Sequence, residues 1–197
     1  MIIDHCDKTI SIKIVYFGPA LSGKTTSIKA LFSHFGKKDE LKSIENTVNR
    51  TLFFDYGTVT FQNEEWKLKI HIYTTTGQDF YLITRPITLR AVDGVILVLD
   101  SQEVVYDRNL ISWNELNSYF QEALKELPII IAFNKQDLPE KFNSVQFLKQ
   151  INYQKFRNID SCNTIALSGE GILGCFEDIL KLILEKYYKN KLVSAMN

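Results

Sequence analysis

Residues 18–25 read GPALSGKT, and this stretch decides the fold. It fits the pattern G-x-x-x-x-G-K-[ST] and lies between an apolar segment and a segment with helical periodicity. Gly18 and Gly23 allow the backbone to wrap around an oxyanion, so that successive N–H groups point at phosphates. Lys24 supplies a positive charge for the outer phosphates, and Thr25 offers Mg²⁺ a hydroxyl oxygen. The stretch therefore predicts a phosphate-binding loop; the alternative is a chance glycine turn, which the flanking strand and helix disfavour.

Hydrophobic periodicity predicts six strands with helices between most of them. The predicted strands are residues 10–17, 51–61, 66–74, 94–100, 129–134 and 163–167, and the predicted helices are residues 24–35, 80–90, 105–126, 144–150 and 173–189. Only residues 62–65 join the second and third strands, which is too short for a crossover helix and predicts an antiparallel hairpin. The pattern thus predicts a three-layer α/β fold, with a mostly parallel six-stranded sheet, one antiparallel strand and helices on both faces.

The composition fits one compact domain over residues 1–197, with a core of about residues 8–190. The 23 basic residues balance the 23 acidic ones, so no net field attracts nucleic acid. The three cysteines are widely spaced without a C-x-x-C pair, which argues against a disulfide framework and a zinc site. The sequence carries no secretory signal, long apolar run or lipidation motif. We therefore expect a cytoplasmic protein without an intrinsic lipid anchor.

A second motif follows the predicted strand 129–134, where residues 134–137 read NKQD and match the N-K-x-D signature of guanine-specific proteins. The Asp137 carboxylate can accept hydrogen bonds from both N1–H and the exocyclic amino group of guanine, a donor pair that adenine lacks. Asn134 would tie this loop to the phosphate loop, and the stem of Lys135 would cover the base. The alternative is a polar surface turn, although the position after a buried strand favours the base-binding interpretation.

A third motif comprises residues 74–78, TTTGQ, which occupy the place of the D-x-x-G-Q segment of Ras-like GTPases. The N–H of Gly77 would sense the γ-phosphate, and Gln78 would orient the attacking water. Thr74 stands where that segment has an acid that helps to hold Mg²⁺. Asp55 either replaces this acid or is a solvated strand carboxylate; the sequence leaves both alternatives open.

Residues 50–55, RTLFFD, together with the T-x-x-G-Q segment resemble the MglA family of small GTPases, over about residues 8–188. Further matches are KIVY at 13–16, VDGV at 92–95, DSQ at 100–102 and NKQDLP at 134–139. The resemblance implies that Thr51 binds Mg²⁺, that Arg50 is an arginine finger within the same chain and that Ala166 offers its backbone N–H to the guanine oxygen. It also implies a homodimeric Roadblock-type (MglB-like) regulator and a shift of the second strand between nucleotide states. Without the resemblance, the alternative is that Arg50 is an exposed arginine at the start of a strand.

The resulting hypothesis is a GTP-binding molecular switch that hydrolyses GTP to GDP and contacts effectors through its switch segments. The predicted nucleotide-binding residues are Gly18, Ala20, Leu21, Ser22, Gly23, Lys24, Thr25, Thr26, Gly77, Asn134, Lys135, Asp137, Ala166 and Leu167. The predicted catalytic residues are Arg50 and Gln78, and the predicted Mg²⁺ residues are Thr25 and Thr51, with Asp55 as an indirect ligand. Ala20 stands where these GTPases commonly have glycine, which predicts slow intrinsic turnover. The alternative functions are a GTP-binding scaffold with little hydrolysis and a small kinase; the sequence lacks the arginine-bearing lid that a kinase needs.

Overall fold

The computed structural model describes residues 1–37, 40–46, 50–75 and 85–196, with the backbone alone at 43–46, 50–54, 190 and 192–196. The strands are β1 (Ile2–Asp4), β2 (Thr9–Phe17), β3 (Lys42–Asn46), β4 (Arg50–Gln62), β5 (Lys67–Thr74), β6 (Gly94–Asp100), β7 (Ile129–Asn134) and β8 (Ile159–Asn163). The α-helices are α1 (Lys24–His34), α2 (Arg85–Leu89), α3 (Tyr106–Phe120), α4 (Ser144–Gln150) and α5 (Ile172–Met196). Short 3-10 helices span Glu103–Val105, Gln121–Glu126 and Tyr153–Lys155.

Across the described ranges, the strands form one eight-stranded sheet in the order β3-β4-β5-β2-β6-β7-β8, with β1 paired to β2. The run β5-β2-β6-β7-β8 is parallel, whereas β4 is antiparallel to β5. The fold class predicted from the sequence is confirmed, including the antiparallel hairpin. Two short strands, β1 and β3, extend the sheet beyond the six predicted, each pairing antiparallel with its neighbour.

The sheet separates two apolar layers, because the parallel strands are covered on both faces. On β2, Ile12, Ile14 and Tyr16 pack on the side of α1 and α5, whereas Val15 and Phe17 pack on the side of α3 and α4. Every residue of β6 and β7 is buried. This arrangement fixes the carboxyl ends of the parallel strands at one edge of the sheet, where ligands bind in folds of this class.

The prediction of the last strand was wrong. The strand spans Ile159–Asn163, and the predicted segment 163–167 begins at its last residue and continues into the following loop. Ile165 and Leu167 suggested an apolar strand, but Leu167 is 84 % exposed. The true strand, whose sequence is IDSCN, is mostly polar and contains no fully buried residue, because it lies at the edge of the sheet with only β7 beside it in the described chain.

The predicted helix 105–126 is divided. It begins as a 3-10 turn, and α3 ends at Phe120 because Gln121 adopts a left-handed φ of 49° before another 3-10 turn begins. In the predicted helix 80–90, residues 80–84 lie outside the described residues, and the described part is α2. The last helix, α5, extends beyond the predicted 173–189 at both ends.

The argument from cysteine spacing against a disulfide was wrong for one pair. Cys162 on β8 and Cys175 on α5 form a disulfide, with their Cα atoms 6.3 Å apart, while Cys6 is free and exposed. The spacing along the chain could not reveal this pair, because only the packing of α5 beside β8 brings the two residues together.

Within the described ranges, no helix combines the length and the apolar character needed to cross a membrane.

Candidate nucleotide site

The phosphate loop occupies residues 18–23, between the end of β2 and the start of α1. Gly18 and Gly23 have φ angles of 140° and 104°, which favour glycine. A Cβ atom at Gly18 would lie 2.2 Å from the carbonyl oxygen of Val98, and one at Gly23 would lie 2.2 Å from Nδ2 of Asn134. Both conformation and space therefore require glycine, as the motif predicts.

Lys24 is the buried cation of this loop. Its Nζ donates to the carbonyl oxygens of Gly18 at 2.9 Å and Pro19 at 2.7 Å, which leaves the third ammonium hydrogen for an anion. Burial, helped by the positive charge of Arg85, lowers the pKa of Lys24 to about 7, although two nearby carboxylates act in the opposite direction. An anionic phosphate beside Nζ would favour the charged ammonium and would be held by it.

Asp55 lies at the other side of the loop and is fully buried. Its Oδ2 accepts hydrogen bonds from the hydroxyl groups of Thr25 at 2.6 Å and Thr74 at 3.1 Å, and its backbone N–H donates to Oγ1 of Thr74 at 2.7 Å. The alternative of a solvated carboxylate at Asp55 is therefore wrong. Thr74, which replaces the acid of the D-x-x-G-Q segment, instead holds an acid contributed by the neighbouring strand.

These residues fit a Mg²⁺ ion in the chemistry of their donor atoms. Thr25 uses its hydroxyl hydrogen to bind Asp55, so its oxygen lone pairs remain available to a hard cation. Only the backbone is described at Arg50 and Thr51, which open β4, while Gly77 and Gln78 lie outside the described residues. The roles predicted for these four residues stay predictions.

Asn134, the last residue of β7, connects three loops. Its Nδ2 donates to the carbonyl oxygen of Ser22 at 2.8 Å, and its Oδ1 accepts from the N–H of Ala166 at 2.9 Å and the hydroxyl of Thr164 at 3.2 Å. The predicted tie between the base loop and the phosphate loop is confirmed. It also includes the loop after β8, whose Ala166 N–H is engaged with Asn134; a guanine oxygen would share or replace this bond.

A cavity of about 270 Å³ lies where these loops meet. It is lined by Leu21, Gly23, Thr26, Asn134, Lys135, Asp137, Leu138, Ala166 and Leu167, of which only Leu138 was not predicted. Lys135, with a left-handed φ of 66°, anchors its Nζ on the Asp100 carboxylate at 2.6 Å, which fixes its side chain beside the cavity. A larger cleft of about 790 Å³ between α3 and α4 contains none of the predicted residues.

A buried ion pair near Lys24 was not predicted from the sequence. Arg85, at the start of α2, is 4 % exposed and forms an ion pair with Glu115 of α3, whose other carboxylate oxygen accepts from the hydroxyl of Tyr119 at 3.1 Å. The Arg85 guanidinium also lies 5.9 Å from the centre of the Phe17 ring. An arginine in a predicted amphipathic helix is ordinarily solvated, so the sequence carried no signal for this buried pair.

One protein-family model and several known proteins are similar to this chain over almost its whole length. The model of the ADP-ribosylation factor family matches residues 2–183. The Mutual gliding-motility protein MglA of Myxococcus xanthus (strain DK1622) is 33 % identical over 193 residues, which cover 95 % of this chain and 97 % of that protein. The Ras-related protein Rab-5B of Plasmodium falciparum (isolate 3D7) is 28 % identical over 91 % of this chain and 83 % of its own length. The ADP-ribosylation factor-like protein 4C of Homo sapiens is 26 % identical over 89 % of this chain and 88 % of its own length.

The family match and the likeness to MglA include the phosphate loop, the junction at Asn134 and the sheet that holds them together. The chain therefore belongs to the ADP-ribosylation factor family of Ras-like small GTPases.

Proposed function

We propose that this chain is a GTP-binding molecular switch that hydrolyses GTP to GDP and phosphate in the cytoplasm. The observation that carries the proposal is the junction at Asn134, which joins the base-binding and phosphate-binding loops around one cavity. The phosphate loop, the guanine-type motif and the family membership all support the same ligand. We treat residues 1–197 as one domain that carries this activity.

In the proposed complex, the phosphates lie against the N–H groups of residues 18–25 and the Lys24 ammonium. The Asp137 carboxylate accepts from N1–H and the amino group of guanine, which selects GTP over ATP. The stem of Lys135 covers the base, supported by its anchor on Asp100. Ala166 exchanges its hydrogen bond to Asn134 for one to the guanine oxygen, or shares it between the two acceptors.

We propose that Thr25 and Thr51 would hold Mg²⁺ and that Asp55 orients the Thr25 hydroxyl by accepting its hydrogen bond. Held by these residues, Mg²⁺ would supply positive charge that offsets the negative charge of the phosphates. The hydrogen bond from the Thr25 hydroxyl to Asp55 supports this role, since it leaves the lone pairs of the Thr25 oxygen available to a hard cation.

For hydrolysis, we propose that Gln78 orients the water and that Arg50 bridges phosphoryl oxygens as negative charge builds on them. An arginine finger of this kind increases the rate of hydrolysis roughly 10³- to 10⁵-fold. Gly77 would sense the γ-phosphate through its N–H. Turnover by the chain alone is expected to be slow, because the methyl group of Ala20 stands at the exposed mouth of the phosphate loop.

The partner we propose is a homodimeric Roadblock-type regulator that stimulates hydrolysis, with effectors binding the switch segments in the GTP state. This part of the proposal rests on the likeness to MglA and on the R-T-L-F-F-D segment that opens β4. The second candidate function is a GTP-binding scaffold with little hydrolysis. Ala20 and Thr74 favour it, whereas Arg50 and Gln78 would then have no task.

The test measures competition of GTP and ATP for bound fluorescent GDP, followed by single-turnover GTP hydrolysis with and without a Roadblock dimer. We expect a strong preference for GTP and loss of turnover in Arg50→Ala. Arg157→Ala, which removes a side chain that is 81 % exposed, is the matched control and should hydrolyse like the wild type. No preference for GTP over ATP would overturn the proposal. Equal turnover in Arg50→Ala and the wild type would remove only the finger, and no hydrolysis with or without the dimer would favour the scaffold.

A further inference from the structure

We propose that Cys162 and Cys175 form a reversible disulfide modification site that controls how fast guanine nucleotide is released. The inference rests on the proposed function, since it concerns the loop that would hold the guanine base. We call residues 164–171 the guanine loop. The two cysteines flank it, one on β8 immediately before the loop and the other in the first turn of α5 after it.

The positions of the two cysteines suit a bond that can open and close without rearranging the fold. Their Cα atoms are 6.3 Å apart, within the range that a disulfide bridges. Cys162 lies opposite Ala132 in the β7–β8 ladder, and the N–H of Cys175 donates to the carbonyl oxygen of Gly171. Both residues are thus held by backbone hydrogen bonds that do not depend on their sulfur atoms.

The disulfide joins the two ends of a loop whose tip is exposed to solvent. Leu167 is 84 % exposed, and Ser168 and Glu170 are also exposed. The loop is held internally by backbone bonds such as Ile165 N–H to the carbonyl of Glu170 at 3.0 Å and Gly169 N–H to the carbonyl of Ile165 at 2.9 Å. A covalent link across its two ends therefore limits the motion of the whole segment.

The guanine loop transmits this restraint to the nucleotide site. Thr164 and Ala166 donate to Oδ1 of Asn134, whose Nδ2 donates to the carbonyl of Ser22 in the phosphate loop. Only one residue separates Cys162 from Thr164. Opening the disulfide would loosen one of the three loops that Asn134 joins, and with it the wall of the cavity formed by Ala166 and Leu167.

The chemistry is thiol–disulfide exchange with a small disulfide such as glutathione disulfide. The half-buried Cys162, as its thiolate, attacks this disulfide, breaks its S–S bond and releases one glutathione thiolate. Cys175, which is 2 % exposed, then loses its proton, attacks Sγ of Cys162 and releases the second glutathione. Two protein thiols become one disulfide while one glutathione disulfide becomes two thiols, and a small dithiol reverses the exchange. Disulfides of intracellular proteins are usually transient and redox-sensing, which fits such a reversible role.

The experiment uses the full chain loaded with fluorescent GDP and Mg²⁺, after treatment with either glutathione disulfide or dithiothreitol. Intact mass after alkylation reports the link, because the reduced protein should carry three alkyl groups, whereas in the oxidised protein Cys162 and Cys175 carry none and the exposed Cys6 carries either an alkyl group or one glutathione. We expect GDP to leave the reduced protein about fivefold faster or more, which is the lower end of typical couplings between sites. Cys162→Ala should release GDP at the faster rate under both treatments, and Cys6→Ala should behave like the wild type.

Two results would overturn the proposal alone. One is a protein that forms the link but releases GDP at the same rate in both states, and the other is a protein that glutathione disulfide does not crosslink. Failure to bind GDP in either state would instead overturn the proposed function, and the present proposal with it. If Cys162→Ala does not fold, the comparison of oxidised and reduced wild-type protein decides the matter.

Discussion

Replacing Asn134 with alanine should weaken nucleotide binding strongly, because one side chain holds three loops. The substitution removes the three hydrogen bonds to Ser22, Thr164 and Ala166, which span 2.8 to 3.2 Å around a side chain that is 2 % exposed. At a net value of about 1 kcal/mol for each bond, the loss is about 3 kcal/mol. If it falls entirely on the bound state, Kd for GDP rises roughly a hundredfold.

Part of the loss will destabilise the free protein instead, so a hundredfold is an upper limit. The assay is equilibrium titration of fluorescent GDP at saturating Mg²⁺, with Tm measured on the same samples. Thr164→Val removes only the longest of the three bonds and should raise Kd about fivefold. Intermediate loss in this variant would indicate that the bonds contribute separately.

Asn143→Ala is the matched control. Asn143 is an exposed N-cap residue of α4 whose side chain accepts from the N–H of Gln146 at 3.1 Å, far along the chain from the phosphate loop. Its loss should cost about 1 kcal/mol of stability and leave Kd unchanged. A Kd for Asn134→Ala within about threefold of the control, with Tm also equal, would refute the reasoning that the junction organises the site.

Three further predictions follow from the surroundings of the phosphate loop. Asp55→Asn keeps an oxygen that can accept a hydrogen bond from Thr25 but loses the negative charge. The Mg²⁺ concentration needed to retain bound nucleotide should therefore rise about tenfold. The same Mg²⁺ titration for variant and wild type would exclude Asp55 from the metal site. Ala20→Gly should speed hydrolysis at saturating GTP by removing a methyl group near the reacting phosphate, and an equal or lower rate would argue against crowding. Glu115→Gln removes the charge that faces the buried Arg85, which should lower the free energy of unfolding by about 3 kcal/mol. In thermal unfolding, Tm should fall by roughly 6 to 12 °C. A variant with the same Tm as the wild type would mean that the ion pair adds no stability.

The sequence predicted the parts of the fold that long apolar runs and motif spacing determine. The limits of β6, β7 and α4 were predicted to the residue; both strands are buried throughout, and the side chain of Asn143 caps the start of α4. The short strands β1 and β3 were not predicted, and the predicted position of β8 was displaced into the guanine loop. In these segments, pairing with a neighbour decides the structure, and local hydrophobicity carries little of that information.

The same division holds for the site. Gly23, Asn134 and Asp137 were predicted because each belongs to a short motif with fixed spacing, and the structure brings all three to one cavity. The burial of Asp55 and the ion pair of Arg85 with Glu115 depend on contacts across the sheet and between helices, which no local pattern encodes. The Cys162–Cys175 link belongs to this second group.

Gly23 and Asn134 lie so close together that even a methyl group does not fit between the phosphate loop and the base loop. Because these two loops are joined to each other, the distance between them is fixed. The site therefore selects a molecule by its length as well as by its chemistry. We expect a free purine or inorganic pyrophosphate to contact only one of these two loops and to leave the other without a ligand. A compound that carries the purine and the phosphates on a longer linker cannot place both groups in their loops at once, even if each group alone fits its own loop.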